Sequence, residues 1–160
     1  MNKKGQLLEK PFIFIFTLIV GALIFIFGFY LINNLIKTSN CAQIGLFVDD
    51  LKSNVERYYS FDAGSSTEIN LNLPKNIKNV CFYSRDDYIN RAIFDEVNQG
   101  LYDSINNLDY NLVFIPLNYC SKSLFKVEKM KAMENPLCIL NTGNIKLKLE
   151  NKGDFVEVSN

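Results

Sequence analysis

Four cysteines, Cys41, Cys81, Cys120 and Cys138, are the residues of this chain best suited to covalent chemistry. No two stand in C-x-x-C spacing and histidine is absent, so a zinc site would need all four thiolates from distant places. Disulfides are the simpler use of an even number, and four cysteines allow three pairings. Cys81 and Cys138 fall in apolar, strand-like stretches, which favours Cys81–Cys138 with Cys41–Cys120. Four buried free thiols are the competing arrangement. A bridge closing loops of this length contributes roughly 3–5 kcal/mol.

The absence of histidine also removes the commonest general base, the Ser-His and Cys-His nucleophile pairs and most catalytic zinc sites. The carboxylate pairs Asp49/Asp50, Asp86/Asp87 and Asp95/Glu96 are neighbours in sequence. On a helix such neighbours point about 100° apart and do not converge as an acid/base dyad must. No glycine-rich phosphate loop, Ca²⁺ loop or N-x-S/T sequon is present. The sequence therefore predicts no catalytic residue, no cofactor and no metal. An enzyme would require a deep pocket gathering carboxylates from distant positions.

The chain has 160 residues, with 17 basic and 17 acidic side chains. Three of the basic ones (Lys3, Lys4, Lys10) and one acid (Glu9) lie at the start, leaving 14 basic and 16 acidic residues beyond. That balance argues against nucleic acid, whose binding depends on a basic patch.

The segment that must place these groups is residues 11–32, PFIFIFTLIVGALIFIFGFYLI, with no charge in it. At about 1.5 Å per helical residue it reaches roughly 30 Å, the thickness of a bilayer's hydrocarbon core. Lysines cluster before it, and the next charge after it is Lys37, so the N-terminus is expected in the cytoplasm and the rest outside the membrane. The run is long for a secretory h-region and no small-x-small cleavage site follows it. Thr17, Gly21 and Gly28 fall on one face of the helix, a seam of small residues that suits helix–helix packing in lipid.

Beyond a polar collar at 33–42, the apolar positions Ile44, Phe47, Val48, Leu51, Val55 and Tyr58 recur three or four apart. They predict an amphipathic helix over 43–59, either a fresh start capped at Asn40 or the continuation of one bent helix. Strands are expected at 67–73, 80–83, 111–117 and 124–128, a helix at 85–98 opened by Asp86 and Asp87, and a polar link at 131–135. Three further strands, at 137–140, 145–150 and 155–158, are joined by connectors with glycine third (Gly143, Gly153) and predict an antiparallel meander. The expected fold is α+β: a transmembrane helix extended by an amphipathic helix that packs on a small antiparallel sheet or sandwich. The expected organisation is a cytoplasmic leader at 1–10, the membrane helix at 11–32, the collar at 33–42 and an extracytoplasmic domain at 43–160.

The opening residues Met1-Asn2-Lys3-Lys4-Gly5-Gln6 resemble the class III signal peptide of archaeal type IV pilins and archaellins. The resemblance covers the N-terminal region, about the first 32 residues. It implies cutting between Gly5 and Gln6 by a prepilin-type peptidase, with the apolar helix retained as the packing stem among other pilin-like subunits. A stem half in lipid and half on a sheet is the architecture of that family. The chain departs from the pattern in having Glu9 fourth and Lys10 fifth after the cut, where the family carries Glu fifth, and Leu8 where a small polar residue is common. The expected function is that of a pilin-like surface protein in assembly, adhesion or an accessory role. The alternative is a permanently anchored ectodomain serving as receptor, adaptor or subunit of an envelope complex.

Overall fold

The computed structural model describes residues 6–105 and 108–160. Its first element, α1, is a single α-helix over Gln6–Tyr59. The collar at 33–42 is helical throughout, because no proline or other breaker interrupts the backbone ladder there. The contacts divide the chain into two units, Met1–Ser39 and Asn40–Asn160.

In the first unit the large apolar side chains from Phe12 to Ile36 are exposed. Among the described residues α1 is the one helix long and apolar enough to cross a membrane; its most apolar window has a mean hydropathy of 2.9 and no buried residue.

The second unit is α+β, with eight strands: β1 (Ser66–Asn72), β2 (Asn79–Phe82), β3 (Leu112–Ile115), β4 (Leu124–Phe125), β5 (Met130–Ala132), β6 (Leu137–Leu140), β7 (Asn144–Asn151) and β8 (Val156–Ser159). They form two four-stranded sheets, ordered β1-β7-β8-β5 and β4-β3-β2-β6. All pairings are antiparallel except β5 with β8, which is parallel. The last part of α1 supplies Ile44, Phe47, Val48, Leu51 and Val55 to the main core, where they meet both sheets. Phe47 sets its ring edge-on to Phe114, centroids 5.4 Å apart.

Strict alternation divides β2 and β3 between two cores. Val80, Phe82, Leu112 and Phe114 face the main one. Cys81, Tyr83, Val113 and Ile115 face a second, closed by the short helices α2 (Arg91–Val97) and α3 (Leu101–Ile105). Strands buried on both faces read as continuous apolar runs, which is why the 80–83 stretch lacks a polar side.

Three sequence expectations are corrected. The helix expected at 85–98 begins only at Arg91, with Asn90 as its N-cap accepting from the Ala92 N–H. Residues 84–87 form a turn pinned by Asn135, whose side chain accepts from Ser84 N–H (2.9 Å) and donates to the carbonyls of Ser84 and Asp87. The three-stranded meander is not formed. β7 and β8 make the expected hairpin, but β6 crosses to the other sheet and pairs with β2. The segment read as a polar link overlaps β5, a strand too short for its period to be visible.

Candidate functional site

A polar cleft of about 770 Å³ opens where the ends of the two sheets meet. Its walls come from the residues after β2, the approach to β3, the link from β4 to β5 and the tip of the β7–β8 hairpin. It lies at the end of the second unit where α1 finishes. Lys129, on its wall, sets its Nζ 3.7 Å from the ring centroid of Tyr59, the last residue of that helix. Along the helix, Tyr59 is about 27 Å from Cys41. A smaller groove of about 300 Å³ adjoins it, sharing the wall 126–129 and adding Lys52 and Glu56 from α1.

Tyr83 is the unusual member of the lining. It is 1 % exposed, and its hydroxyl has no hydrogen-bond partner among the described residues. Buried polar atoms are nearly always paired, so an orphaned hydroxyl beside a cleft is a mark of a site. Burial pushes the Tyr83 phenol up to about 12, with Arg85 opposing and Asp109 and Tyr110 adding to the shift. Those three neighbours line the same cleft.

The charges of the cleft balance. Arg85, Lys126, Lys129 and Lys131 stand against Asp86, Asp109, Glu128 and Asp154. Half of them are engaged in ion pairs: Lys126 bridges Asp109 at 2.7 Å and Glu128 at 3.4 Å, and Lys131 meets Asp87, outside the cleft lining, at 3.2 Å. The hydrogen bond from Lys126 holds the Asp109 carboxyl below the ordinary carboxylate range. The cleft thus gathers carboxylates from distant positions, the feature an enzyme would need. A carboxyl stabilised in its charged form is nevertheless the opposite of a general acid poised near neutrality. The arrangement suits binding better than proton transfer.

Lys129 is the one non-glycine residue with positive φ (+60°) among those described. Left-handed backbone costs a branched or long residue about 1–2 kcal/mol. Here it is imposed by the β5–β8 pairing, in which the Lys129 carbonyl accepts from the Val156 N–H at 2.7 Å. Strain of this kind concentrates at ligand sites.

No family model, curated protein or solved structure matches this chain. The site therefore rests on its own geometry.

Of the residues singled out from the sequence, Asp86 of the Asp86/Asp87 pair lines the cleft, and the processing, helix-packing and cysteine residues do not. Gly5 lies outside the described residues, and Gln6 begins α1. Thr17, Gly21 and Gly28 lie along α1 in the first unit. The Thr17 hydroxyl donates back to the Phe14 carbonyl (2.9 Å), and space around both glycines is open. The four cysteines form Cys41–Cys120 and Cys81–Cys138, with Cα separations of 5.8 and 4.0 Å. Cys81 and Cys138 are directly opposed in the β2–β6 register. Cys41–Cys120 ties α1 to the loop after β3, where Asn40 also donates to the Tyr119 hydroxyl at 2.7 Å. In the sequence Tyr83 reads as one more strand residue; the lysine-rich run 126–131 (KVEKMK) is the signal from which a charged wall could have been read.

Proposed function

We propose that this chain is a membrane-anchored, pilin-like surface protein. Its apolar helix is lodged in a lipid bilayer, its N-terminus is cytoplasmic and its disulfide-bonded α+β unit is extracytoplasmic. The observation that carries this reading is the exposed apolar surface of α1 between Phe12 and Ile36. Water is a poor solvent for so large an apolar face, and hydrocarbon is a good one. The two disulfides support an oxidising compartment for the second unit. The continuity of α1 through 33–42 supports the stem-and-head arrangement that the N-terminal resemblance implies. In this reading a prepilin-type peptidase removes the first five residues. Other pilin-like subunits then pack along Thr17, Gly21 and Gly28, and the chain carries no enzymatic activity and binds no nucleic acid.

Mass spectrometry of the membrane-extracted protein tests the processing. The expected mature chain starts at Gln6, and substituting Gly5 blocks the trimming. A chain starting at Met1 or Asn2 overturns the pilin-like reading and leaves a permanent anchor carrying an ectodomain.

A further inference from the structure

We infer that the end of the second unit at which the chain enters it is a docking surface for anionic lipid headgroups. The inference rests on the membrane-anchored reading and adds to it a contact of the second unit itself with the bilayer surface.

Three segments are brought together around Asn40 and Cys41. The Cys41–Cys120 disulfide fixes the loop after β3, whose Tyr119 hydroxyl accepts from the side chains of both Asn40 and Asn76. The link between β1 and β2 is joined to the turn after β6. There Asn141 donates from its side chain to the carbonyls of Pro74 and Ile77, and from its backbone N–H to that of Lys78. The Lys78 N–H in turn donates to the carbonyl of Ile115, at the end of β3.

The charges at this end are all of one sign. Residues 40–48, 72–79, 115–123 and 140–145 contain Lys75, Lys78 and Lys122 and no Asp or Glu. From residue 40 onward the chain carries thirteen basic and sixteen acidic side chains, so a surface with lysine alone runs against its composition. All three lysines are exposed, and none forms an ion pair among the described residues. A cluster of free cations calls for an anionic partner. Leu140, 67 % exposed, stands among them, opposite Asn79 in the β2–β6 register. Exposed lysine beside exposed leucine suits the boundary between headgroups and acyl chains.

The length of the tether favours lipid over other anions. Only residues 33–39 lie between the apolar span and Asn40, and as α-helix they rise about 10 Å. The headgroup layer beyond the hydrocarbon is itself roughly 5–8 Å deep. With the span in a bilayer, this end of the unit is held within reach of lipid phosphates at a high effective concentration. Lys37, in the tether, adds a further cation.

The test places the full chain in nanodiscs, of phosphatidylcholine alone or with about one third phosphatidylglycerol, and reads lysine acetylation rates by mass spectrometry. Lys75, Lys78 and Lys122 are expected to react about threefold more slowly in the anionic discs, while Lys129 and Lys152 react alike in both. Salt at about 1 M, where the screening length is roughly 3 Å, is expected to erase the difference. In the double variant Lys78→Gln with Lys122→Gln, the protection of Lys75 is expected to fall by about half. Equal rates in the two discs overturn the inference. So does a slowing that reaches Lys152 equally, or one that inorganic phosphate reproduces in the neutral discs. Full protection of Lys75 in the double variant overturns it as well. A chain that does not enter the discs defeats the anchoring on which the inference depends, whereas one that enters and reacts equally in both defeats the docking alone.

Discussion

At the scale of single residues, Tyr83 sets a well-packed ring against an unpaired hydroxyl. Its ring belongs to the second core, edge-on to Phe94 with centroids 5.6 Å apart, while its hydroxyl is buried without a partner. An unsatisfied buried hydroxyl costs roughly 1–3 kcal/mol, so Tyr83→Phe is expected to unfold at the same or a higher temperature than the parent near pH 7. The phenol stays neutral in the folded chain until about pH 12, against 10.0 for an ordinary tyrosine. Because the folded value is the higher one, its contribution is complete below pH 10 and is lost as the pH rises from 10 to 12. Over that interval the parent is expected to lose about 3 kcal/mol more than Tyr83→Phe, read from chemical denaturation at stepped pH. Equal losses in the two proteins would place the hydroxyl in contact with water. None of this is visible in the run Val80-Cys81-Phe82-Tyr83, where alternation puts Tyr83 on the same face as Cys81 without saying what lies opposite its hydroxyl.

At the scale of elements, two asparagines do work that a turn signal alone does not announce. Asn141 and Asn151 each stand two residues before a glycine of positive φ, Gly143 at +102° and Gly153 at +96°, and each accepts from that glycine's N–H at 2.7 Å. Their amide groups reach much further. Asn141 donates to the carbonyls of Pro74 and Ile77, fixing the crossover that sends β6 and β7 to different sheets. Asn151, 2 % exposed, donates to the carbonyls of Tyr58, Tyr59 and Phe61 and so closes the C-terminal end of α1, whose last carbonyls lack helical partners. Asn151→Ala is expected to cost about 2–4 kcal/mol in denaturant unfolding, since it strands several polar groups at once. Asn151→Asp should be worse, because a carboxylate cannot donate and its charge faces carbonyl oxygens. A loss below about 0.5 kcal/mol for Asn151→Ala would mean that water takes over those carbonyls. The glycines and the hairpin were legible from spacing. The reach of the asparagines was not, because hydrogen bonds across 64 to 93 residues leave no local pattern.

At the scale of the whole molecule, the two units differ in the solvent they are made for. The second keeps a two-sided core of aliphatic and aromatic side chains, and the ion pairs among its described residues join exposed or half-buried side chains. The first presents its apolar side chains outward. Charging the middle of the exposed helix tests that division directly. The double substitution Leu23→Arg with Phe27→Arg adds two guanidinium groups to the span, each costing about 2.5–3.5 kcal/mol at a bilayer centre. It should shift the chain from the carbonate-resistant membrane fraction to the soluble one, while leaving both disulfides intact in non-reducing mass mapping. Retention of the double variant in the membrane fraction would show that another segment holds the chain there.

The sequence by itself determined everything that depends on composition along a line: an uncharged span of bilayer length, the amphipathic period of the last part of α1, an α+β second unit and glycine-dependent turns. Those signals are local, because burial of one face imposes a period that survives in the order of residues. Tertiary structure alone decided which sheet β6 joins, that β5 exists, that α2 starts at Arg91, and that Tyr83, Asp109, Lys126 and Asp154 meet around one cleft. Such choices turn on side chains brought together from distant positions, and on the pairing of individual polar atoms once buried, which no periodicity along the chain encodes.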